Sequence, residues 1–501
     1  MKKTITLLIL LLGAWISMRG QNTDDALLNT QTLYEGTGRS MAMGGATGAL
    51  GGDVTAACIN PAGLGRYRSS ELTFTTGLQY TLSSNRYYGE NHLGGKMRMT
   101  IPNFGYVITL PCSNYKPLRF LQFGIGLTRT NDFNYRAHAE GLNPGSSMVD
   151  AYLQAIDGIE GIYDPNLSNP GDLLVDAYPY DLYPAWMTYL IDRYEDSLGF
   201  YYNSPIPQGN VRQQDVTTSK GRSEEWTMTL SANISEKLFL GSSLGLAHIK
   251  RISTRTYTET PGPDGGNAFT QWSHGEDLGD NAWGINFKCG FLWHPVQWLR
   301  FGAAWQSRTA FSFDEEWATQ TETDLTGQQE PYHKYLSSTL YNTYAFRTPH
   351  RFTGSLAFFT GRHGLVTADV DYLNYSGARF SSEEYSFADV NDDIASLLRP
   401  TWNFRLGTEW SLRQFFFRGG LAYYGSPFGL GYAMGSVRKL ALGIGYATND
   451  DTSWDFAYEL SQAPTAHTPY QYFVDGENTV ESVVRQAWRS KLAVTLKIRI
   501  E

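Results

Sequence analysis

Few residues in this 501-residue chain are spaced for chemistry. Gly241-Ser242-Ser243-Leu244-Gly245 matches G-x-S-x-G, the motif that lifts a nucleophilic serine on a strand–turn–helix corner. Here the match lies inside an alternating run with Leu238, Leu240, Leu244 and Leu246, which reads as a single strand. Coincidence in a chain with 51 glycines explains it. The nine histidines are scattered, without H-E-x-x-H or close ligand spacing, so no metal site is expected. Asp369 and Asp371 have the types for acid–base work, yet solvated charges on the polar face of a strand are the simpler reading. Cys58, Cys112 and Cys289 are odd in number and widely spaced, implying neither a disulfide framework nor a zinc site. They read as small packing residues with at most one bridged pair. No phosphate-binding or dinucleotide fingerprint is present. Catalytic residues, metal and cofactor are all expected to be none, so the chain is not read as an enzyme.

The remaining chemical interest lies in charges carried by strands: Lys288, Arg300, Arg405, Arg418, Lys497 and Arg499. Their positions follow from a repeat that begins near Glu71, about ten residues of alternating character and then turn residues. Leu492, Val494, Leu496, Ile498 and Ile500 share one face of the last segment, and Ala493, Thr495, Lys497 and Arg499 share the other. Trp226, Met228, Leu230, Ala232 and Ile234 oppose Thr227, Thr229, Ser231 and Asn233. Trp402, Phe404, Leu406 and Trp410 oppose Asn403, Arg405, Gly407 and Glu409. Leu121, Phe123, Ile125 and Leu127 oppose Gln122, Gly124, Gly126 and Thr128, while Trp454, Phe456, Tyr458 and Leu460 oppose Ser453, Asp455, Ala457 and Glu459. A 3.6-residue period would mix each of these pairs of sets.

Alternation alone fits a soluble sandwich as well as a membrane barrel. Three observations select the barrel. The polar face is rich in Gly and Ala as well as charge, which suits a confined interior. Trp283, Trp293, Trp298, Trp305, Trp410 and Trp488 recur near strand ends, as aromatic belts do. Connections alternate in length. Pro111–Leu118, Ser235–Glu236, Pro295–Gln297, Gly361–Arg362, Arg413–Gln414 and Thr448–Asp451 are short; Asn131–Arg222, Asp314–Tyr344, Ser376–Pro400 and Ser461–Ala487 are long. Strands near 71–80, 103–111, 119–131, 223–234, 237–257, 270–292, 298–313, 345–360, 363–375, 401–412, 415–424, 436–447, 452–461 and 488–500 make about fourteen, an even number as in single-chain bacterial barrels. The fold class is therefore all-β, a transmembrane antiparallel barrel. Each strand cation would cost about 2–4 kcal/mol if it faced lipid at mid-depth, so all are placed in the lumen. There they attract an anionic headgroup or pair with Glu409, Glu459 and Asp455, and pairing is the plainer reading.

Composition agrees. Charged residues are 18% and aromatics 14%, and the net charge is −9, which argues against a nucleic-acid partner. Past the first twenty residues no run of roughly 18 apolar residues suggests a membrane helix. Lys2 and Lys3 followed by an apolar stretch from Ile5 to Leu12 give residues 1–20 the form of a secretory signal, with cleavage near Gly20–Gln21. Residues 21–67 are glycine-rich (Gly36, Gly38, Gly44, Gly45, Gly48, Gly51 and Gly52) and lack strand alternation. Ala42, Met43, Ala46, Ala49, Leu50 and Val54 give this stretch apolar content enough to pack as an N-terminal plug, or hatch, in the lumen. The barrel domain is 68–501, with a partly helical external loop at 131–222. Ser147-Met148-Val149-Asp150 reads as a capping box opening one helix, and Tyr183–Tyr194 as a second. The apolar faces of these helices either catch a greasy ligand above the barrel mouth or, more simply, pack on each other and the rim.

An exported chain with Gly38-Arg39-Ser40-Met41-Ala42-Met43-Gly44-Gly45-Ala46, then Asn60-Pro61-Ala62-Gly63-Leu64, then about fourteen strands resembles the FadL-type outer-membrane transporters of long-chain fatty acids and other hydrophobic compounds. Arg39–Leu64 followed by Tyr67-Arg68-Ser69-Ser70-Glu71 is similar to the branch common in Bacteroidetes-type bacteria, often labelled hemin receptor or aromatic-hydrocarbon transport protein. The resemblance spans nearly the whole chain in architecture and residues 36–71 in motif. It implies a Gram-negative outer-membrane location, insertion by the barrel-assembly machinery, contact with outer-membrane lipid and lipopolysaccharide, and a hydrophobic small-molecule ligand taken up past a hatch and released sideways through a kinked strand. Arg39, Gly44, Gly45, Asn60, Pro61, Ala62 and Gly63 carry over as hatch residues, and Gly124 and Gly126 are the candidates for the kink. The chain departs from the family in ending Ile498-Arg499-Ile500-Glu501, without a terminal aromatic, and in the length of the loop at 131–222. No pocket residue is matched by motif. The alternative within the same architecture is a FadL-like barrel serving as scaffold or shuttle in type IX-like protein secretion. A diffusion porin is disfavoured by the plug, and TonB-dependent transport by the strand count, since that barrel has about 22 strands.

Overall fold

The computed structural model describes residues 22–500 except 113–116, 264–267, 328–329, 362 and 429–434. The expected signal segment, Arg362 and part of the turn after Pro111 lie outside the described residues.

Fourteen antiparallel spans close into a barrel. They are β1 (Ser70–Tyr87), β2 (Glu90–Pro111), β3 (Leu118–Asp132, resuming as Tyr135–Asn143), β4 (Val211–Ile234) and β5 (Leu238–Pro261). Then come β6 (Phe269–Val296), β7 (Leu299–Gln306 and Ala310–Leu325), β8 (Leu340–Arg347 and Arg351–Thr360) and β9 (Gly364–Asn374). The last five are β10 (Pro400–Leu412), β11 (Phe415–Tyr424), β12 (Val437–Ala447), β13 (Thr452–His467) and β14 (Val483–Ile500). The wall closes where β14 pairs with β1 from Ser70↔Ile500 to Arg86↔Val484.

The faces divide as the alternation requires. Trp402, Phe404, Leu406 and Trp410 are exposed around the outside, whereas Asn403 and Arg405 are buried within. Trp454, Phe456 and Tyr458 likewise alternate with buried Asp455, Ala457 and Glu459. Exposed large apolar side chains continue around every part of the wall, from Phe74 on β1 to Ile500 on β14. A polar lumen inside an apolar exterior is the reverse of a water-soluble sandwich, and bilayer is the solvent that fits it. No helix among the described residues is long and apolar enough to cross a membrane. One end of the barrel is closed by tight turns. Ser235 and Glu236 both take positive φ, +53° and +59°, the twist that joins β4 to β5 without splaying them. The other end carries the insertions.

Several strands run taller than expected. β1 and β2 continue to a two-residue turn at Tyr88-Gly89, so the 81–102 interval is strand rather than connection. The expected loop at 131–222 shrinks to 144–210, since Tyr135–Asn143 pairs with the upper part of β4 from Val211 to Ser219. Within it Ser147 opens a helix at Met148–Ile156, with the reciprocal Ser147–Asp150 capping box in place. The second helix is shorter than its apolar spacing suggested, Leu182–Met187 only. Tyr189 takes φ +55° and Asp192 begins a hairpin, which ends the helical path. Both helices pack with Tyr257, Phe269, Trp272, Leu325 and Tyr470 into one cluster at the rim, so their apolar faces are spent on packing.

Residues 22–67 lie inside the barrel as a plug. They form α1 (Thr23–Thr30), an extended stretch, α2 (Gly38–Ala42), α3 (Ala56–Ile59) and a 3-10 turn at Pro61–Arg66.

Candidate functional site

The hatch is locked to the wall by polar bonds and by glycine. Asn60 uses its whole side-chain amide: Nδ2 donates to Gly48 O (2.9 Å) and to Phe291 O on β6 (3.1 Å), and Oδ1 accepts from Ala62 N (3.2 Å). It thus ties hatch to hatch, hatch to wall, and caps the 3-10 turn that Pro61 begins. Ser231 on β4 donates to Pro61 O (2.8 Å), Ala62 is fully buried, and Gly63 O accepts from Gly52 N (3.0 Å). Gly44 and Gly45 turn the chain at φ +62° and +79°, a path that side chains resist. On the opposite wall a Cβ at Gly420 would overlap Met43 C and Gly44 N. Wall glycines here make room for hatch backbone.

The lumen charges pair, some with the hatch and others within the wall. Arg39 donates to Glu409 from Nε (2.9 Å) and Nη2 (3.1 Å), and Glu409 also accepts from Arg418 (2.6 Å). Lys497 lies 3.3 Å from Asp53 of the hatch and 3.1 Å from Asp455. Arg405 grips Asp371 at 2.6 and 2.9 Å, and Asp369 accepts Gly48 N of the hatch at 3.0 Å. Asp369 and Asp371 are therefore not the solvated charges their sequence suggested; both are buried and engaged. Lys288 pairs with Glu225, and Glu35 of the hatch with Lys491. Arg499, placed in the lumen by its parity, lies exposed at the tight-turn rim and donates to Asp450 O (2.8 Å). Arg300 differs from the rest. It is buried, donates to Leu50 O of the hatch (3.1 Å) and stacks over Phe359. With Arg39 and Arg66 it lines a cavity of about 330 Å³ between the underside of the hatch and the tight turns.

A chamber that the sequence did not disclose lies above the hatch core. Inward residues of β7 and β8 turn aromatic: Phe311, Phe313, Tyr344 and Phe346, joined by Phe380 and Phe387 from the β9–β10 connection. Phe313 stacks on Tyr344 at 5.0 Å and Phe346 meets Phe380 at 4.6 Å between ring centroids. The chamber is filled by the protein's own N-terminal helix, whose Ala26 and Leu27 are fully buried in this cluster. An Asn22–Asp25 capping box closes the start of α1, and Arg251 on β5, which donates to Asp25 (2.9 Å), holds the helix there.

The third feature is a gap in the wall. β2 pairs with β3 only from Asn103↔Thr128 to Pro111↔Phe120. Above that, β3 bulges between Arg129 and Asn131, breaks after Asp132 and steps inward, while β2 runs on to Glu90 paired with β1 alone. Leu93, Met97, Met99 and Ile101 are exposed along this unpaired edge, Met99 to 80%. An open strand edge leaves backbone polar groups without a partner strand, so its presence needs a reason. Gly124 and Gly126, the expected kink residues, sit in regular register opposite Val107 and Gly105. Their missing Cβ atoms make room for Leu64 and Val54 of the hatch instead. The break lies at Asp132-Phe133-Asn134, where Asp132 and Asn134 are polar turn formers and Phe133 is buried in the aromatic cluster. The hatch reaches this point as well: Leu33 N donates to Thr130 O (2.7 Å) and Glu35 N to Arg129 O (3.1 Å).

No protein-family model and no curated protein matches the sequence. Solved structures do. A Pseudomonas aeruginosa FadL homologue superposes with TM-score 0.56 at 12% identity, over 94% of this chain and 100% of that one. The P. putida toluene transporter TodX superposes with TM-score 0.51 at 13% identity, over 95% of this chain and 99% of that one. The fold is that of the FadL homologues.

In this FadL-like barrel, sequence spacing also missed one cluster. His92 on β2 and His138 and Glu140 on the upper part of β3 converge, with ligand atoms all within 4.8 Å of one another. Their separation in the chain, with the stretch from 93 to 137 between the two histidines, hid the set. The three cysteines are free thiols.

Proposed function

We propose that this chain is an outer-membrane transport protein for hydrophobic small molecules, long-chain fatty-acid-like or aromatic. The observation that carries the reading is the aromatic chamber stoppered by α1. Interior aromatic surface on this scale gains from an apolar occupant, at roughly 25 cal/mol per Å² removed from water. A ligand arriving from the loop end competes with Leu27 for that surface. The stretch from Gln31 to Glu35 leaves α1 and bonds to β3 where the wall opens, so displacing α1 pulls on the edge of the gap. Release then runs sideways between β2 and β3 into the membrane, with no aqueous stage for an insoluble molecule. The hatch core, pinned through Asn60, Arg39 and Asp53, stays in place beneath. The working environment is outer-membrane lipid and lipopolysaccharide, reached by the barrel-assembly machinery. The reading is transport rather than catalysis; Ser243, the serine of the G-x-S-x-G match, is buried in the wall and accepts from Thr229 (3.1 Å).

The test is uptake of a radiolabelled long-chain fatty acid and of toluene by cells whose own outer-membrane transporters are deleted. Wild type restores uptake, and Phe380→Ala, assembled normally by heat-modifiable gel migration, lowers it several-fold. Uptake of neither compound, or uptake indifferent to the chamber, overturns the reading. Co-purification of a stable protein partner with no apolar molecule in the chamber would move the assignment to a secretion scaffold.

A further inference from the structure

We infer that Glu90, His92, His138 and Glu140 form a binding site for a transition-metal dication of the zinc class, one that ties β2 to β3 across the open edge of the wall. The ties between strands are new; that closing them restrains release rests on the transport reading above.

The geometry comes from two strand pairs. Glu90 and His92 are spaced i, i+2 on β2, and His138 and Glu140 are spaced i, i+2 on the upper part of β3. Residues two apart share a face, so each strand offers one imidazole and one carboxylate together. Gly94 makes the approach possible, because a Cβ there would overlap the Arg136 carbonyl of β3. The imidazole rings of His92 and His138 lie 4.9 Å apart between centroids. His92 Nε2 is 3.4 Å from Glu90 Oε2, and His138 Nε2 is 3.4 Å from Glu140 Oε2. Tetrahedral zinc with bonds of about 2.0–2.1 Å places its ligand atoms about 3.3 Å apart, so these pairs already stand at coordination spacing.

The charge of the cluster suits a cation. Arg212 Nη1 sits 3.1 Å from Glu90 Oε1 and 3.1 Å from Glu140 Oε1, a single guanidinium between two carboxylates. The two carboxylates outnumber the one guanidinium. The Arg212 side chain is 42% exposed, so it can swing into solvent when a dication takes its place. Gln214 Nε2 donates to Glu140 Oε2 (3.0 Å) and lies 3.2 Å from His138 Nε2. All four side chains are 21–36% exposed, open to ions from the loop side. The set mixes imidazole and carboxylate, which favours zinc, nickel or copper over magnesium or calcium.

The test uses the full chain in detergent micelles, stripped with chelator and titrated with zinc by calorimetry. Cobalt(II) absorption reads the ligand geometry. One site in the micromolar range or tighter is expected. His92→Ala and His138→Ala each weaken it by more than about tenfold, and Arg212→Ala tightens it, an effect a purely structural ion network would not produce. Spin labels at Leu93 and Leu142 report the strand separation, which narrows with zinc. No site tighter than about 0.1 mM, or binding indifferent to both histidines, overturns the site; binding without narrowing overturns the tie between strands. Failure of wild type to take up hydrophobic compounds would remove the transport reading and leave zinc binding standing.

Discussion

Leu27→Ala weakens the stopper without touching the chamber wall. Leu27 is fully buried among the chamber aromatics, and truncating such a leucine costs about 2–5 kcal/mol, since most of its packing is lost. The helix's own bonds, the capping box and Gln31 N to Leu27 O (2.8 Å), are unchanged, and so is the Arg251–Asp25 pair that holds it to β5. Taking about 3 kcal/mol, the balance between docked and displaced helix shifts by about 150-fold. A ligand that must evict α1 gains affinity by the same factor, until the helix no longer fills the chamber in the free protein. The assay is titration of an apolar naphthalene fluorophore into the purified chain, wild type against Leu27→Ala, with folding checked by heat-modifiable migration. Apparent affinity should rise by one to two orders of magnitude. An unchanged or weaker affinity in a folded variant refutes the competition and the chamber assignment with it.

Burial pushes the Asp150 carboxyl up to about 6, opposed by the bond from Ser147 N and reinforced by nearby Glu259. The folded cap then binds the proton more tightly than the unfolded one, so its stability is full near pH 4 and declines as pH rises through about 6. Limited proteolysis of the 144–210 insertion should therefore be slower at pH 5 than at pH 7, and Asp150→Asn should flatten the difference. Glu259 is fully buried and accepts from Ser147 Oγ, Met148 N, Gln213, Tyr257 and Trp272. Glu259→Ala strands these donors, and the insertion should lose at least about 3 kcal/mol of local stability, read as protease sensitivity with the barrel intact. Gly420→Ala forces a methyl into the Met43–Gly44 backbone and should loosen the hatch by about 1–3 kcal/mol, read as faster amide exchange at residues 38–50.

The wall was legible because lipid is an unforgiving solvent: one misplaced residue of register would turn Arg405 or Lys497 into hydrocarbon, so the pattern is written in every strand. The hatch was legible from its glycines and Asn60-Pro61, and the pairing of Arg418 with Glu409 and Asp455 followed from confinement. Legibility ended where lipid stops selecting. The upper parts of β3 to β5 are largely polar and alternate weakly, whereas β2 keeps an exposed apolar row at Leu93, Met97, Met99 and Ile101. Tyr189 ended a helix whose apolar spacing ran on, since the rim offered those side chains better partners. Gly124 and Gly126 were read as weakness in a strand, but their purpose is clearance for Val54 and Leu64. The chamber was invisible because Leu27, Phe313, Tyr344 and Phe380 come from remote parts of the chain, and only closure of the barrel brings them together.

The most direct test is a crystal structure of the protein soaked with a brominated apolar probe such as bromobenzene. The account predicts an anomalous bromine peak among Phe313, Tyr344, Phe346 and Phe380, with α1 withdrawn. Bromine only on the outer wall, with Leu27 still seated, would contradict it.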